Sequence, residues 1–127
     1  MAYAPVSKEL LAVETPGGDV EGTIFQIQAN NFDSVGNAGQ EFWAHFDFTQ
    51  VGTGQADARI QTSWNKTDWV PVAIATQLSA AGERKEVVKL SMCGRYIRAG
   101  LLVGGSAQVS GTVRIATTES TRFNVAA

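Results

Sequence analysis

The sequence contains one histidine, which lies next to a carboxylate on one side of a predicted strand. His45 and Asp47 are two residues apart in "EFWAHFDFTQV" (41–51). Alternate residues of a strand point to the same face, so Asp47 could orient His45 as a general base. Hydrolytic catalysis also needs a nucleophile and an oxyanion site, and the chain has no motif such as G-x-S-x-G. The pattern favours a surface histidine, and we predict a protein that is not an enzyme.

Metal ligands and cofactor motifs are equally sparse. One histidine and one cysteine, Cys93, cannot complete a zinc site within one chain. "NNFDSVGN" (30–37) offers oxygen ligands, but it lacks the carboxylate spacing of a calcium loop. The glycine pairs in "GTGQAD" and "VGGSA" have no following helix or lysine that would indicate a phosphate loop. We therefore expect no metal, no cofactor and no essential thiol.

Charge and hydropathy exclude further classes of partner. The chain has 127 residues and a formal net charge of −2, whereas nucleic acids and anionic membranes require a basic surface. No apolar run approaches the ~20 residues of a membrane span, and the N-terminus lacks a signal-peptide pattern. A single cysteine suits folding in a reducing cytoplasm. We predict neither nucleic acid nor membrane as a partner.

The elements that must position these residues are short strands. Thirteen glycines, most of them between apolar runs, mark turns, and the runs alternate with a period of two. This pattern predicts an all-β, antiparallel β-sandwich or jelly-roll-like fold of seven or eight strands. We expect a single domain over 1–127, with a core at 8–117 and flexible terminal arms at 1–7 and 118–127. The predicted strands are 22–29, 41–51, 58–64, 70–76, 85–91, 95–103 and 107–117, with 8–13 as an eighth strand or one helical turn.

The residue pattern of strand 41–51 indicates which of its two faces is buried. Three phenylalanines share one side, and burying each contributes about 1.5–3 kcal/mol, so that side must be core and the Trp43 side must face outward. The same argument buries one side of three other strands. The predicted core residues are Phe42, Ala44, Phe46 and Phe48; Ile24 or Phe25 with Ile27; Ile97, Leu101 and Val103; and Val109, Val113 and Ile115.

The stretch "SWNKTDWVP" (63–71) places two tryptophans around a short polar loop. A four-residue loop, with Trp64 opposite Trp69, would mix polar and apolar side chains on one face. A five-residue loop gives one consistently apolar face, which favours that register. It predicts Trp64 in the core and Trp69 outside at the loop end, unless Trp69 folds over the open end of the sandwich. The favoured register pairs Trp64 with Val70, Thr62 with Val72 and Ile60 with Ile74.

Four residues are candidates for contact with a partner. Pro71 indicates an edge strand or a bulge, and Trp69 beside it is of a type enriched at binding hot spots. Trp43 is the aromatic residue on the outer side of 41–51. Phe123 lies in "RFNV", within the predicted C-terminal arm.

The second half of the chain, roughly 58–117, resembles a pattern found in small β-sandwich proteins of tailed-bacteriophage particles. The resemblance lies in "IQTSWNKTDWVPVA" and "KLSMCGRYIRAGLLVGGSAQVSGTVRIAT". The commonest form of the turn has Asp-Gly where this chain has Asn65–Lys66. The matching positions are Thr62, Ser63, Trp69 and Val70; Arg95, Tyr96, Ile97 and Arg98; and Val109, Val113 and Ile115.

This resemblance implies a virion structural protein, assembled in the host cytoplasm. The role it implies is a head decoration or cement protein that binds the major capsid protein of the assembled shell. It also implies a homo-oligomer, for example a trimer. Other positions on the particle, such as the neck, tail or fibre base, remain open. So does a carbohydrate-binding module, in which Trp43, Trp69 or Tyr96 would be the stacking platform.

Overall fold

The computed structural model describes residues 6–14, 18–29, 42–90, 94–105, 107–117 and 121–126. These residues form strands joined by turns and bends, with no helix among them. The ten strands are β1 (Val6–Glu14), β2 (Val20–Glu21), β3 (Phe25–Ala29), β4 (Phe42–Val51), β5 (Gln55–Ser63), β6 (Val70–Ile74), β7 (Gly82–Leu90), β8 (Tyr96–Gly104), β9 (Gln108–Thr117) and β10 (Thr121–Val125).

The strands form two antiparallel sheets that make a sandwich. One sheet has four strands in the order β1-β9-β4-β7, and the other has the order β10-β3-β8-β5-β6, with β2 paired to β8. The all-β sandwich predicted from the sequence is confirmed. All seven predicted strands are present, and 8–13 belongs to a strand, not a helical turn. Strands β2 and β10 are additional.

Strand β10 corrects the prediction of a C-terminal arm over 118–127. Residues Thr121–Val125 pair with β3, placing Phe123 opposite Ile27, and the Phe123 ring packs against the core. The N-terminal boundary also differs, because β1 begins at Val6. The arm prediction failed because a five-residue strand is stable only beside a partner, and β3 is distant in sequence.

The predicted phenylalanine side of β4 forms the centre of the core. The side chains of Phe42, Ala44, Phe46 and Phe48 are all buried between the sheets. Phe46 and Phe48 line a narrow crevice with the alanines Ala56, Ala58 and Ala75. Large side chains in one sheet thus face small ones in the other, as close packing requires. The other predicted core residues are also buried, with Phe25 instead of Ile24 beside Ile27, except Val103, which is half-buried.

The register of the tryptophan hairpin differs from the prediction. Ile60 pairs with Ala73 and Gln61 pairs with Pro71, so Val72 is an extra residue in β6. Such a bulge places two residues opposite one on the partner strand and reverses the faces beyond it. Ala73 and Ala75 therefore enter the core, and Ile74 faces solvent.

Candidate functional site

The loop between β5 and β6 is held by its own polar side chains. Ser63 Oγ accepts hydrogen bonds from the backbone N–H groups of Asn65 (3.2 Å) and Lys66 (3.0 Å). Asn65 Oδ1 accepts from the N–H groups of Thr67 and Asp68, both at 2.8 Å. Lys66 has a φ of 66°, in the left-handed region that non-glycine residues rarely adopt. The side-chain bonds hold this conformation and define the direction in which the loop leaves the sheet.

Trp64 is at the start of this loop, and its position contradicts the prediction that it belongs to the core. Its side chain is 56% exposed. The expected pair of Trp64 with Val70 does not form, because Val70 pairs with Thr62 instead. The strand therefore ends at Ser63, and Trp64 turns away from the sheet.

Trp69, at the other end of the loop, is half-buried on the outer side of the six-stranded sheet. The Cζ atom of Arg98 lies 4.2 Å from the centre of its ring. Arg98 Nε donates to Gln61 Oε1, and Arg98 Nη1 donates to Glu21 Oε2, both at 3.0 Å. Only 16% of the Arg98 side chain is exposed. A well-fixed guanidinium therefore covers one face of Trp69, in a cation–π contact.

Strand β6 forms one edge of its sheet and carries exposed apolar side chains. Val70 is 59% exposed, Ile74 is 61% exposed, and Pro71 between them is also exposed. Within the described residues, β6 forms its ladder only with β5. We call these exposed residues, together with Trp64, the β6 edge patch: Trp64, Val70, Pro71 and Ile74. The bulge at Val72 lies between Val70 and Ile74, so their side chains point to opposite sides of the sheet at this edge.

The structure separates the four residues predicted to contact a partner. Trp69 and Pro71 lie at the β6 end of the six-stranded sheet, while Trp43 is half-buried on the outer side of the four-stranded sheet. Phe123 packs against the core from β10. The sequence pattern did not identify Trp64, Val70 and Ile74 as surface residues. The pattern that could have identified them is the alternation of Ala73 and Ala75 with Ile74, because the two alanines can form the buried side and leave Ile74 on the exposed side.

The outer face of the four-stranded sheet contains a groove of about 500 Å³. His45 and Asp47 project into it from β4, as the alternation predicted, and both are exposed. Arg114 contributes from β9, where it pairs with His45 in the ladder. The groove is lined by Ser7, His45, Phe46, Asp47, Lys85, Glu86, Val87, Thr112, Arg114 and Ala116.

In the described part of the chain, no three His, Cys, Asp or Glu side chains converge in a way that could hold a metal ion. The same residues contain no helix with the length and apolar character needed to cross a membrane. The "NNFDSVGN" segment and Cys93 lie outside the described residues, so the predictions about calcium and the thiol remain predictions.

Comparison with known proteins shows similarity of fold. No protein-family model matches the sequence, and no curated protein matches it. The PBSX exported protein XepA is similar with a TM-score of 0.53 and 17% identity, covering 96% of this chain and 39% of that chain. The Cowpea mosaic virus top component gives a TM-score of 0.47 at 10% identity, covering 100% of this chain and 90% of that chain. The N-terminal cellulose-binding domain of Cellulomonas fimi beta-1,4-glucanase C gives 0.44 at 10% identity, covering 97% and 80%.

The likeness to XepA shows a shared β-sandwich architecture. The matched region is well under two thirds of the XepA chain. At this level of identity the similarity concerns the fold, and function must be argued from the surfaces of this chain.

Proposed function

We propose that this chain is a non-enzymatic structural protein of a virus particle, and specifically a decoration protein that binds the assembled capsid shell. The observation that carries the proposal is the β6 edge patch. Three of its side chains are more than half exposed, whereas Ala73 in the same strand is buried in the core. Exposed apolar side chains gathered along one edge of a sheet can form a contact surface.

The chemistry of this edge favours contact through side chains. Proline has no N–H group to donate to a neighbouring strand, and the bulge at Val72 interrupts the ladder beside it. A partner therefore gains little from adding a strand here, but it can cover Trp64, Val70 and Ile74. The partner that we propose is the major capsid protein in its assembled form.

A repetitive shell suits a patch of this small size. One copy of four side chains buries less surface than a standard stable interface, which covers about 1,600 Å² in total. A shell presents the same site many times, and linked copies of the chain would gain affinity through effective concentration. Self-association into a closed homo-oligomer such as a trimer fits this role. The likeness to XepA supports the sandwich fold that the role requires.

The experiment is co-sedimentation of the purified chain with assembled capsids of the virus that encodes it, and with unassembled capsid subunits. We expect stoichiometric binding to the shell. Val70→Asp and Ile74→Asp should weaken that binding by about tenfold or more, because a charge would be buried against an apolar contact. Both positions are exposed, so both variants should fold.

Val51→Asp provides the matched control. Val51 is as exposed as Ile74, at 61%, but it lies at the end of β4 in the other sheet. Shell binding should survive this substitution. Equal loss of binding in all three variants would show a nonspecific effect of charge, and absence of binding by the unmutated chain would overturn the proposal.

A further inference from the structure

The groove on the outer face of the four-stranded sheet is lined by hydrogen-bonding side chains and lies beside the aromatic residue Trp43. Trp43, His45 and Asp47 follow one another on this side of β4, the central strand of three. On one side their ladder partners in β9 are Ala116, Arg114 and Thr112, and on the other side those in β7 are Lys89, Val87 and Lys85. Trp43 is not one of the lining residues, but its ladder partner Ala116 is.

Contacts distinguish Trp43 from the other aromatic residues on the outer faces. The guanidinium of Arg98 lies over the Trp69 ring. The Tyr96 ring has Lys66 Nζ at 5.4 Å and Arg95 Cζ at 5.6 Å from its centre. A ligand would have to displace these cations to stack there. Trp43 has the small side chain of Ala116 as its ladder partner in β9 and Lys89 as its partner in β7, so the β9 side of the ring has the smaller neighbour.

The charges that border the groove are of both signs, and two oppositely charged pairs lie close together. Arg114 Nη1 is 3.6 Å from Glu9 Oε2, and Lys85 Nζ is 3.5 Å from Glu83 Oε1. Asp47 and Glu86 add carboxylates to the lining itself. A surface of this kind does not concentrate a polyanion or a polycation. It suits a neutral ligand that presents many hydroxyl groups.

We propose that this groove binds a neutral oligosaccharide. An aromatic ring accepts the apolar C–H face of a pyranose, while the ring hydroxyls bond to side chains at its edge. Trp43 would supply the stacking surface. His45, Asp47 and Arg114 would donate to and accept from hydroxyl groups.

The size and shape of the groove are consistent with this ligand. Its volume of about 500 Å³ falls within the range of about 300–1,000 Å³ found for small-molecule sites. It is an open depression whose lining comes from all four strands of the sheet. The site belongs to the sheet opposite to the β6 edge patch, and the two contacts therefore use different surfaces.

The test is a titration of the intact chain with neutral hexasaccharides at millimolar concentration, using maltohexaose, cellohexaose and mannohexaose as probes. Two-dimensional ¹H–¹⁵N NMR follows the indole N–H signals of Trp43, Trp64 and Trp69 separately. We expect at least one probe to shift the Trp43 signal and the backbone signal of His45. Absence of any shift with all three probes would overturn the proposal.

Substitutions then locate the site. Trp43→Ala should weaken the binding of that probe by about tenfold or more, and Asp47→Asn should weaken it less. Trp64→Ala, the matched loss of an indole from the other sheet, should leave the affinity unchanged. Full affinity in Trp43→Ala, or loss in Trp64→Ala, would contradict the assignment. Val70→Asp should bind the saccharide normally even though it fails to bind capsids, so the two proposals can fail separately.

Discussion

At the scale of the residue, one face of β4 contributes side chains to the core and the other contributes side chains to the outer surface of the sheet. The Phe46 side chain is buried between the sheets, whereas Trp43 is half-buried on an outer face. The sequence predicts this division correctly, because alternation on a single strand is a local property. It does not depend on which strand lies next to β4.

The corresponding prediction compares two truncations. Phe46→Ala should lower the free energy of unfolding by about 3–5 kcal/mol, the range for a buried aromatic side chain whose loss leaves a cavity. Trp43→Ala should cost much less, since its ring keeps access to solvent in the folded state. Urea denaturation followed by circular dichroism measures both. Equal losses would show that the Trp43 ring is part of the core.

At the scale of the element, strand β6 shows where hydrophobicity alone misleads. In "VPVAIAT" (70–76) the larger apolar residues appear to define the buried face, yet Ala73 and Ala75 are buried and Ile74 is exposed. The reason is volume: only a narrow crevice separates Phe46 and Phe48 from Ala75, and a larger side chain there would overpack the core and destabilise it. This constraint comes from another sheet, so no pattern within β6 reveals it.

The same limit explains the tryptophan hairpin. Pro71 signalled an edge or a bulge, and the structure has both, but the sequence does not indicate that the extra residue is Val72. Without that bulge, the regular pairing would continue and place Ile60 opposite Val72. Lys66 adopts the left-handed conformation at the position where the phage pattern has glycine. Lys66 thus takes the conformation that a glycine adopts without strain, and the departure from Asp-Gly is tolerated because the side chains of Ser63 and Asn65 hold the loop.

The turn between β4 and β5 provides a prediction at this scale. Gly54 has a φ of +118°, and a Cβ atom there would lie 2.5 Å from the Gly104 carbonyl oxygen and 2.6 Å from the Ala107 nitrogen. Both neighbours are backbone atoms that cannot easily move aside. Gly54→Ala should therefore destabilise the protein by about 1–3 kcal/mol, from strained backbone and the close approach together.

Gly18→Ala is the matched control for Gly54→Ala. A Cβ atom at Gly18 would meet nothing within 4 Å. Its substitution should leave the melting temperature almost unchanged, or raise it slightly by restricting the unfolded chain. Differential scanning calorimetry measures both variants. A small effect at Gly54 would mean that the turn can adopt a second conformation.

At the scale of the whole molecule, the sheet edges limit how copies can associate. A strand edge with unpaired N–H and C=O groups can pair with another chain. In β1 the register shifts between Glu9 and Leu11, and Lys8 Nζ lies 5.3 Å from the centre of the Phe25 ring. In β6 the protection comes from Pro71 and the bulge at Val72. At these two edges such features disfavour strand pairing and favour contact through side chains; β7 and β10 form the other two edges.

The last prediction tests this protection at β6. Pro71→Thr restores an N–H group and a residue type that favours strands, so it should promote pairing between the β6 edges of two copies. Sedimentation velocity should show larger species than the unmutated chain forms at the same concentration, and their fraction should rise with concentration. Val70→Thr introduces the same side chain next to Pro71 and keeps the proline, so it should sediment like the unmutated chain. If Pro71→Thr also sediments like the unmutated chain at every concentration, the bulge alone is enough to block the edge. The exposed apolar side chains of β6 could then bind a shell without Pro71, because the bulge alone would prevent the edge from pairing with another strand.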